Sequence, residues 1–203
     1  MKQYGLRKIH KDGIHYDFQW PLEIGAIAIA PDWNPEAKCG GGLHLLPNAN
    51  GNYGLLDGYY WAVVEYDADS LVMIDKEKGK VPSCKIVYLS ESSDGLFEYF
   101  KNVQFDSRSA YAWAKYIGDR EYMKQFINDS YWAYNWARGI GDVEYMKQFV
   151  TEPQLAYWWA WHIGDAEYMK QYTVGTEWDF ELRSNMACAR SIKTEFIMNF
   201  NGL

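Results

Sequence analysis

Eleven residues recur almost unchanged from Tyr116, Gly139 and His162: YIGDREYMKQF, GIGDVEYMKQF and HIGDAEYMKQY. Ile117, Ile140 and Ile163 lie 23 residues apart, as do Met123, Met146 and Met169. A fixed period of this size marks a supersecondary unit that cannot bury its apolar side alone and packs against its own copies. Ala110, Trp113, Ala114 and Ile117 fall at i, i+3, i+4 and i+7, which is one face of a helix. That face returns as Ala133, Trp136, Ala137, Ile140, and again as Ala156, Trp159, Ala160, Ile163. The alanines leave room for a neighbour's indole. The glycines that follow (Gly118, Gly141, Gly164) suit a left-handed position just past a helix end. Asp119, Asp142 and Asp165 then suit the N-cap of a second helix, with Glu121, Glu144 and Glu167 in its first turn. Asp129-Ser130 and Pro153 restart the following unit.

The period predicts an α-helical repeat over residues 94–203, a short solenoid of helix hairpins. A half unit from Asp94 opens it, and a degenerate cap closes it. In that cap Phe180 and Met186 keep the spacing, while Ala187-Cys188 replace Gly-Asp. The recurring Glu121, Lys124 and Gln125 read as helix surface, since Glu and Lys at i, i+3 support a helix by about 0.2–0.5 kcal/mol. The variable positions distinguish the copies. The third carries Trp158, Trp161 and His162, more aromatic surface than its core stripe requires. With Tyr134 they are the candidate partner-binding residues, because tryptophan is enriched where interfaces hold most of their energy. Packing against another part of the chain is the competing role.

From Met1 to Ser93 the period changes. AIAIA (Ala26–Ala30), WAVVEYD (Trp61–Asp67), LVMID (Leu71–Asp75) and CKIVYLS (Cys84–Ser90) read as short strands. PDWNPEAKCGGG and PNANGNYG read as loops, and Asp75–Lys80 as a charged hairpin turn. The expected class is therefore α+β, with a small, mainly antiparallel β-rich domain over 1–93 ahead of the helices. Within it, CGGGLHLLPNA (Cys39–Ala49) runs glycines into an apolar strand carrying His44. Glycine permits close backbone approach, and histidine can bind, donate or titrate near neutral pH. Gly41, Gly42 and His44 are thus candidate cofactor-binding residues and His44 the candidate catalytic one. A glycine bend leading into a strand accounts for the same residues structurally.

Charge and composition narrow the classes. A net charge of −7 argues against a basic nucleic-acid-binding surface. No run of about 18 apolar residues is present to span a bilayer, and Met1-Lys2-Gln3-Tyr4 opens no apolar signal region. Three cysteines (Cys39, Cys84, Cys188) without paired spacing read as reduced thiols in a cytosolic protein. Cys39, His44 and Cys84 lack a CxxC or HxxxH spacing, so no metal is expected. CGGG is followed by neither Lys-Ser nor Lys-Thr, so there is no phosphate-binding P-loop and no cofactor is expected.

The order FQWPLEIG, CGGGLH, WAVVEYD, KGKVPSCKIVYL resembles an uncharacterised domain family of phage and prophage proteins, and the serial IGDxEYM units are similar to repeats in such proteins. The resemblance implies a phage-encoded protein in the host cytosol, binding a host or defence component. A structural virion component is a further alternative. GGGLHLLPNA also resembles, more distantly, the strand lining the nicotinamide pocket of mono-ADP-ribosyltransferases. That likeness implies an NAD-using or other nucleotide-binding enzyme, with His44 in the place of the stacking aromatic. His10 or His15 would come from the first strand and Asp75, Glu77 or Glu65 would be the carboxylate; no Q-x-E or E-x-E pair is present. Binding is preferred over catalysis, and the oligomeric state is left open.

Overall fold

The computed structural model describes residues 1–53, 56–163, 165, 167, 168 and 171. Gly164, Met169, the Ala160 side chain and the expected cap with Phe180, Met186, Ala187 and Cys188 lie outside the described residues. By internal packing the chain divides into Met1–Asp119 and Arg120–Leu203.

The first unit is built on a curled, mostly antiparallel seven-stranded sheet, a half-barrel. Its strands are β1 (Lys2–Ile9), β4 (Ile27–Ile29), β5 (Leu43–Pro47), β6 (Tyr60–Asp67), β7 (Val72–Met73), β8 (Gly79–Val81) and β9 (Ser83–Ser90). They lie in the order β4-β9-β6-β1-β5-β8-β7. A separate two-stranded ribbon joins β2 (Ile14–His15) to β3 (Phe18–Gln19). β1 sits at the centre, paired with β6 along its whole length and with β5 at Gly5 and Leu6. Its local signal is weak, because Gly5, Arg7 and Lys8 interrupt the apolar alternation. Pairing across the sheet supplies what local propensity lacks.

Period-two alternation gives the sheet two working faces. One buries Ile9, Leu43, Leu45, Ala62, Val64, Tyr66, Val81, Cys84 and Ile86 with Trp20, and Phe18 and Trp33 pack against them. Each fully buried Val, Leu or Ile contributes about 1.5–3 kcal/mol. On the opposite alternation stand Leu6 and Val63, which are register partners and wholly buried. Helices α1 (Phe97–Phe100) and α2 (Ser107–Tyr116) belong to this unit too. Tyr99 lies edge-on to Tyr4 and donates its hydroxyl to the Val87 carbonyl. Ser109 accepts from the Gly51 amide, and Arg108 pairs with Glu77.

The second unit holds α3 (Arg120–Lys124), α4 (Ser130–Gly139), α5 (Val143–Met146) and α6 (Pro153–Ile163). Here the structure corrects the expected fold. The sheet is the dominant element, and among the described residues no solenoid of helix hairpins is evident. The second element of the first two copies, expected as a helix able to form half a hairpin, is only five residues in α3 and four in α5. A single turn is barely past the nucleation cost of a helix. Each buries one side chain, Met123 or Met146. That is too little apolar face to make the second layer of a hairpin.

The repeat nevertheless encodes local detail. Trp113, Trp136 and Trp159 are 0%, 1% and 1% exposed, so the predicted stripe is core. Asp106, Asp129 and Asp142 cap α2, α4 and α5 by accepting from backbone amides three residues on. The recurring lysine has a role beyond its own helix. Lys124 reaches Asp142 at 2.8 Å and Lys147 reaches Asp165 at 2.8 Å, the aspartate of the following copy in each case. The ammonium of Lys124 holds the Asp142 carboxyl below its usual range.

Candidate functional site

Two groups of candidate residues occupy different units. In the second, α6 sets Trp158, Trp161 and His162 in a run of rings. Trp158 and Trp161 have centroids 5.3 Å apart, tilted by 30°. Trp161 stacks on His162 at 6.0 Å and 15°. Tyr134 of α4 lies 6.1 Å from His162. The spacing of 158, 161 and 162 puts them on one helical face, while Trp159, about a quarter turn round from Trp158, enters the core. Trp158 and Trp161 remain 37% and 46% exposed. Burial lowers the His162 imidazole, and the charge of Arg138, on α4, acts in the same direction. All four predicted partner-binding residues therefore form one aromatic cluster.

In the first unit, β5 carries His44 between β1 and β8, opposite Lys80 in register. The glycine loop before it is folded onto protein. A β-carbon at Gly41 would press on Asn34 and the Asp32 carbonyl, and one at Gly42 on the Trp33 ring at 3.0 Å. Both glycines have left-handed φ, +59° and +147°. The carbonyls of Lys38 and Gly40 accept from the Lys80 ammonium at 2.9 and 2.7 Å. Gly41 and Gly42 thus give their close approach to Asn34 and Trp33.

Beside them lies Arg7, which the sequence reading passed over. Its guanidinium sits 3.6 Å from the centroid of Trp20 and donates to the carbonyls of Lys8 and His44. Burial pushes it down to about 9, so it stays charged at neutral pH. Arg7 is 6% exposed and Lys80 0%. Neither carried a local signal: Arg7 interrupts the alternation of its strand, and Lys80 ends a stretch that reads as a charged hairpin turn. His44 is pushed down to about 4, first by burial and then by the charges of Lys78, Arg7, Lys80 and His15. Its Nε2, like Nδ1 of His15, is buried with no protein hydrogen-bond partner among the described residues. His10 and His15 meet edge to face at 5.0 Å.

The three candidate carboxylates hold structural partners. Asp75 accepts from the amides of Glu77 and Lys78, Glu77 from the Asn52 amide and Arg108, and Glu65 from Lys2. Cys84 is core, its thiol pushed up to about 12 by burial, and Cys39 is exposed. Among the described residues no group of three or more His, Cys, Asp or Glu could hold a metal ion. Nor is any helix there long and apolar enough to cross a membrane.

The low His44 value has a sign that can be measured. The folded ring stays neutral while the unfolded one titrates near its ordinary 6.5. This contribution is therefore complete above about pH 6.5, falls as pH drops toward about 4, and changes no further below that. Discounted for a half-exposed ring, it amounts to on the order of 1–2 kcal/mol. Urea unfolding of parent and His44→Asn from about pH 7 to about pH 4.5 should show the difference between the two shrinking in acid. Parallel profiles would contradict it.

Comparison with protein-family models, with curated proteins and with solved structures finds no match to this chain.

Proposed function

We propose that this is a protein-binding protein, phage-encoded, that engages a host or defence component through the aromatic face of α6 and α4. One observation carries the reading: two indoles and an imidazole form a continuous stack while both indoles stay more than a third exposed. Clustered exposed apolar surface marks interaction sites, and tryptophan dominates binding hot spots. The stack limits rotamer freedom in advance, so less entropy is lost on docking. Arg138 beside the rings supplies a cation at the edge and favours an acidic contact on the partner. The phage origin rests on the motif order FQWPLEIG, CGGGLH, WAVVEYD and on the IGDxEYM units.

The test is capture of a partner from host lysate by the parent and by Trp158→Ala/Trp161→Ala, followed by affinity measurement with the partner so identified. Loss of two hot-spot residues at about 2 kcal/mol each should weaken binding at least about a hundredfold. Circular dichroism checks that the double variant keeps its helices. A well-folded double variant that binds as the parent does would remove this surface from consideration.

A further inference from the structure

The seven-stranded sheet ends on one side in β4 and on the other in β7. An edge strand leaves a row of backbone groups unpaired, and native chains blunt such edges with charge, proline, bulges or short length. β7 follows that rule: it is two residues long, and Asp75-Lys76-Glu77-Lys78 follow it closely. β4 does not. Ala26–Ala30 reads AIAIA, with no charge and no proline. Its backbone groups alternate in direction. The Ile86 amide donates to the Ala26 carbonyl, and the Ala30 amide to the Pro82 carbonyl. Ala28, in register with Cys84, shares their parity, so positions 26, 28 and 30 turn their groups toward β9. The N–H and C=O of Ile27 and Ile29 therefore point away from the sheet, and among the described residues they have no hydrogen-bond partner. Their side chains stand on the face opposite the buried Ala28. Each is 65% exposed, more than any other isoleucine or leucine among the described residues. An apolar edge open in both backbone and side chain is a surface for strand addition.

We propose that β4 pairs antiparallel with β4 of a second copy of this chain, about a two-fold axis through Ala28. A two-fold contact must match itself, and this strand does. AIAIA reads the same in both directions, so the reversed copy sets Ile27 against Ile29 of the partner subunit and Ala28 against its own counterpart. The outward groups match too: each Ile27 exchanges N–H and C=O with the partner's Ile29, and each Ile29 with the partner's Ile27. Charge favours a copy over a charged foreign strand, which would find no counter-charge on β4. Lys85, opposite Ile27 in register, is itself opposite Glu65 on β6. The two Lys85 side chains stand three strand spacings apart, roughly 14 Å, beyond the screening length of about 8 Å. A short edge with four isoleucines buries less than the roughly 1,200 Å² of lasting complexes, so the dimer is reversible, with a dissociation constant of about 10–100 μM. β4 belongs to the first unit and the aromatic face of α6 to the second, so either surface can fail without the other.

Sedimentation velocity of the full chain from about 5 to about 500 μM follows the association, and the parent is expected to pass from monomer to dimer. Ile29→Lys should weaken dimerisation at least about tenfold, because a charge on the edge opposes strand pairing. Ile27→Thr/Ile29→Thr keeps strand propensity and should weaken it as well, with circular dichroism checking that both variants stay folded. Trp158→Ala/Trp161→Ala should dimerise as the parent does. Register is read by cross-linking in a Cys39→Ser background. Mixed Ile27→Cys and Ile29→Cys chains should form a disulfide-linked dimer on oxidation, and neither chain should do so alone, because only 27 and 29 face each other. A chain that stays monomeric throughout, folded edge variants that dimerise as the parent does, or loss of the dimer in the tryptophan variant would each overturn the assignment. So would growth past the dimer, or cross-linking no better in the mixture than in either chain alone.

Discussion

A Trp113→Ala chain is expected to lose about 3–5 kcal/mol of stability, the cost of emptying a tryptophan-sized core position. Trp113 is fully buried on α2 and ringed by aromatic neighbours. Tyr53, Phe97, Phe100 and Phe105 have centroids 6.2, 6.4, 5.9 and 5.4 Å from it. Such pairs add about 0.5–1.5 kcal/mol each beyond the area they bury. The surround cannot collapse easily into the space. Tyr53 is held by its hydroxyl on the Ala49 carbonyl, and Phe100 is itself wholly buried. A marginal domain has about 5–15 kcal/mol in total, so much of it would be spent. Guanidinium unfolding of the parent, Trp113→Ala and Trp113→Phe measures this, with phenylalanine recovering part of the loss. A drop below about 1 kcal/mol would show that the ring cluster does not hold α2 in its unit.

Gly141→Ala should destabilise the helical unit by about 3 kcal/mol or more, at the severe end of overpacking. A β-carbon built there falls inside the Trp136 indole, on Nε1 and Cδ1. The indole has nowhere to go, because Trp136 is 1% exposed. The matching glycine of the first copy does different work. Gly118 has φ +115° with nothing near its missing side chain, so Gly118→Ala costs only backbone strain, of order 1–3 kcal/mol. Hydrogen exchange over 130–146 in both variants separates the two cases. Combining Gly141→Ala with Trp136→Leu should recover stability relative to the sum of the single changes. If the double change is simply additive, steric overlap with the indole is not the cause.

The same glycine in the same phrase thus carries two different constraints, and the repeat shows neither. Its reading as a left-handed helix terminator holds for Gly118. At Gly141 the constraint is room for a side chain, which depends on how Trp136 packs. Asp119 departs similarly: it takes φ +54°, while Asp142 is an extended N-cap. The lysine of the repeat was read as surface support for its own turn. The i, i+3 pairs exist, at 3.9 Å for Glu121–Lys124 and 2.8 Å for Glu144–Lys147. The contact to the next copy's aspartate left no separate signal, because the N-cap already accounts for the recurring aspartate and the i, i+3 pair for the lysine.

The candidate sites were legible to different degrees for the same reason. Trp158, Trp161 and His162 are neighbours on one helix, so their spacing alone brought them together. His44 was visible as a histidine in an apolar strand, but its surroundings were not. Arg7 and Lys80 come from strands far from it in the chain and meet it only through sheet pairing.

Spacing along the chain was sufficient for α2, α4 and α6 and for the burial of Trp113, Trp136 and Trp159, because a helical face is set by residues three and four apart. It was sufficient also for the strands at 27–29, 60–67 and 83–90. The place of β1 at the centre of a half-barrel, the shrinkage of α3 and α5 to about one turn each and the burial of Arg7 and Lys80 arose from long-range packing. Register partners and counter-charges from distant segments set those outcomes, and no local window of residues contains them.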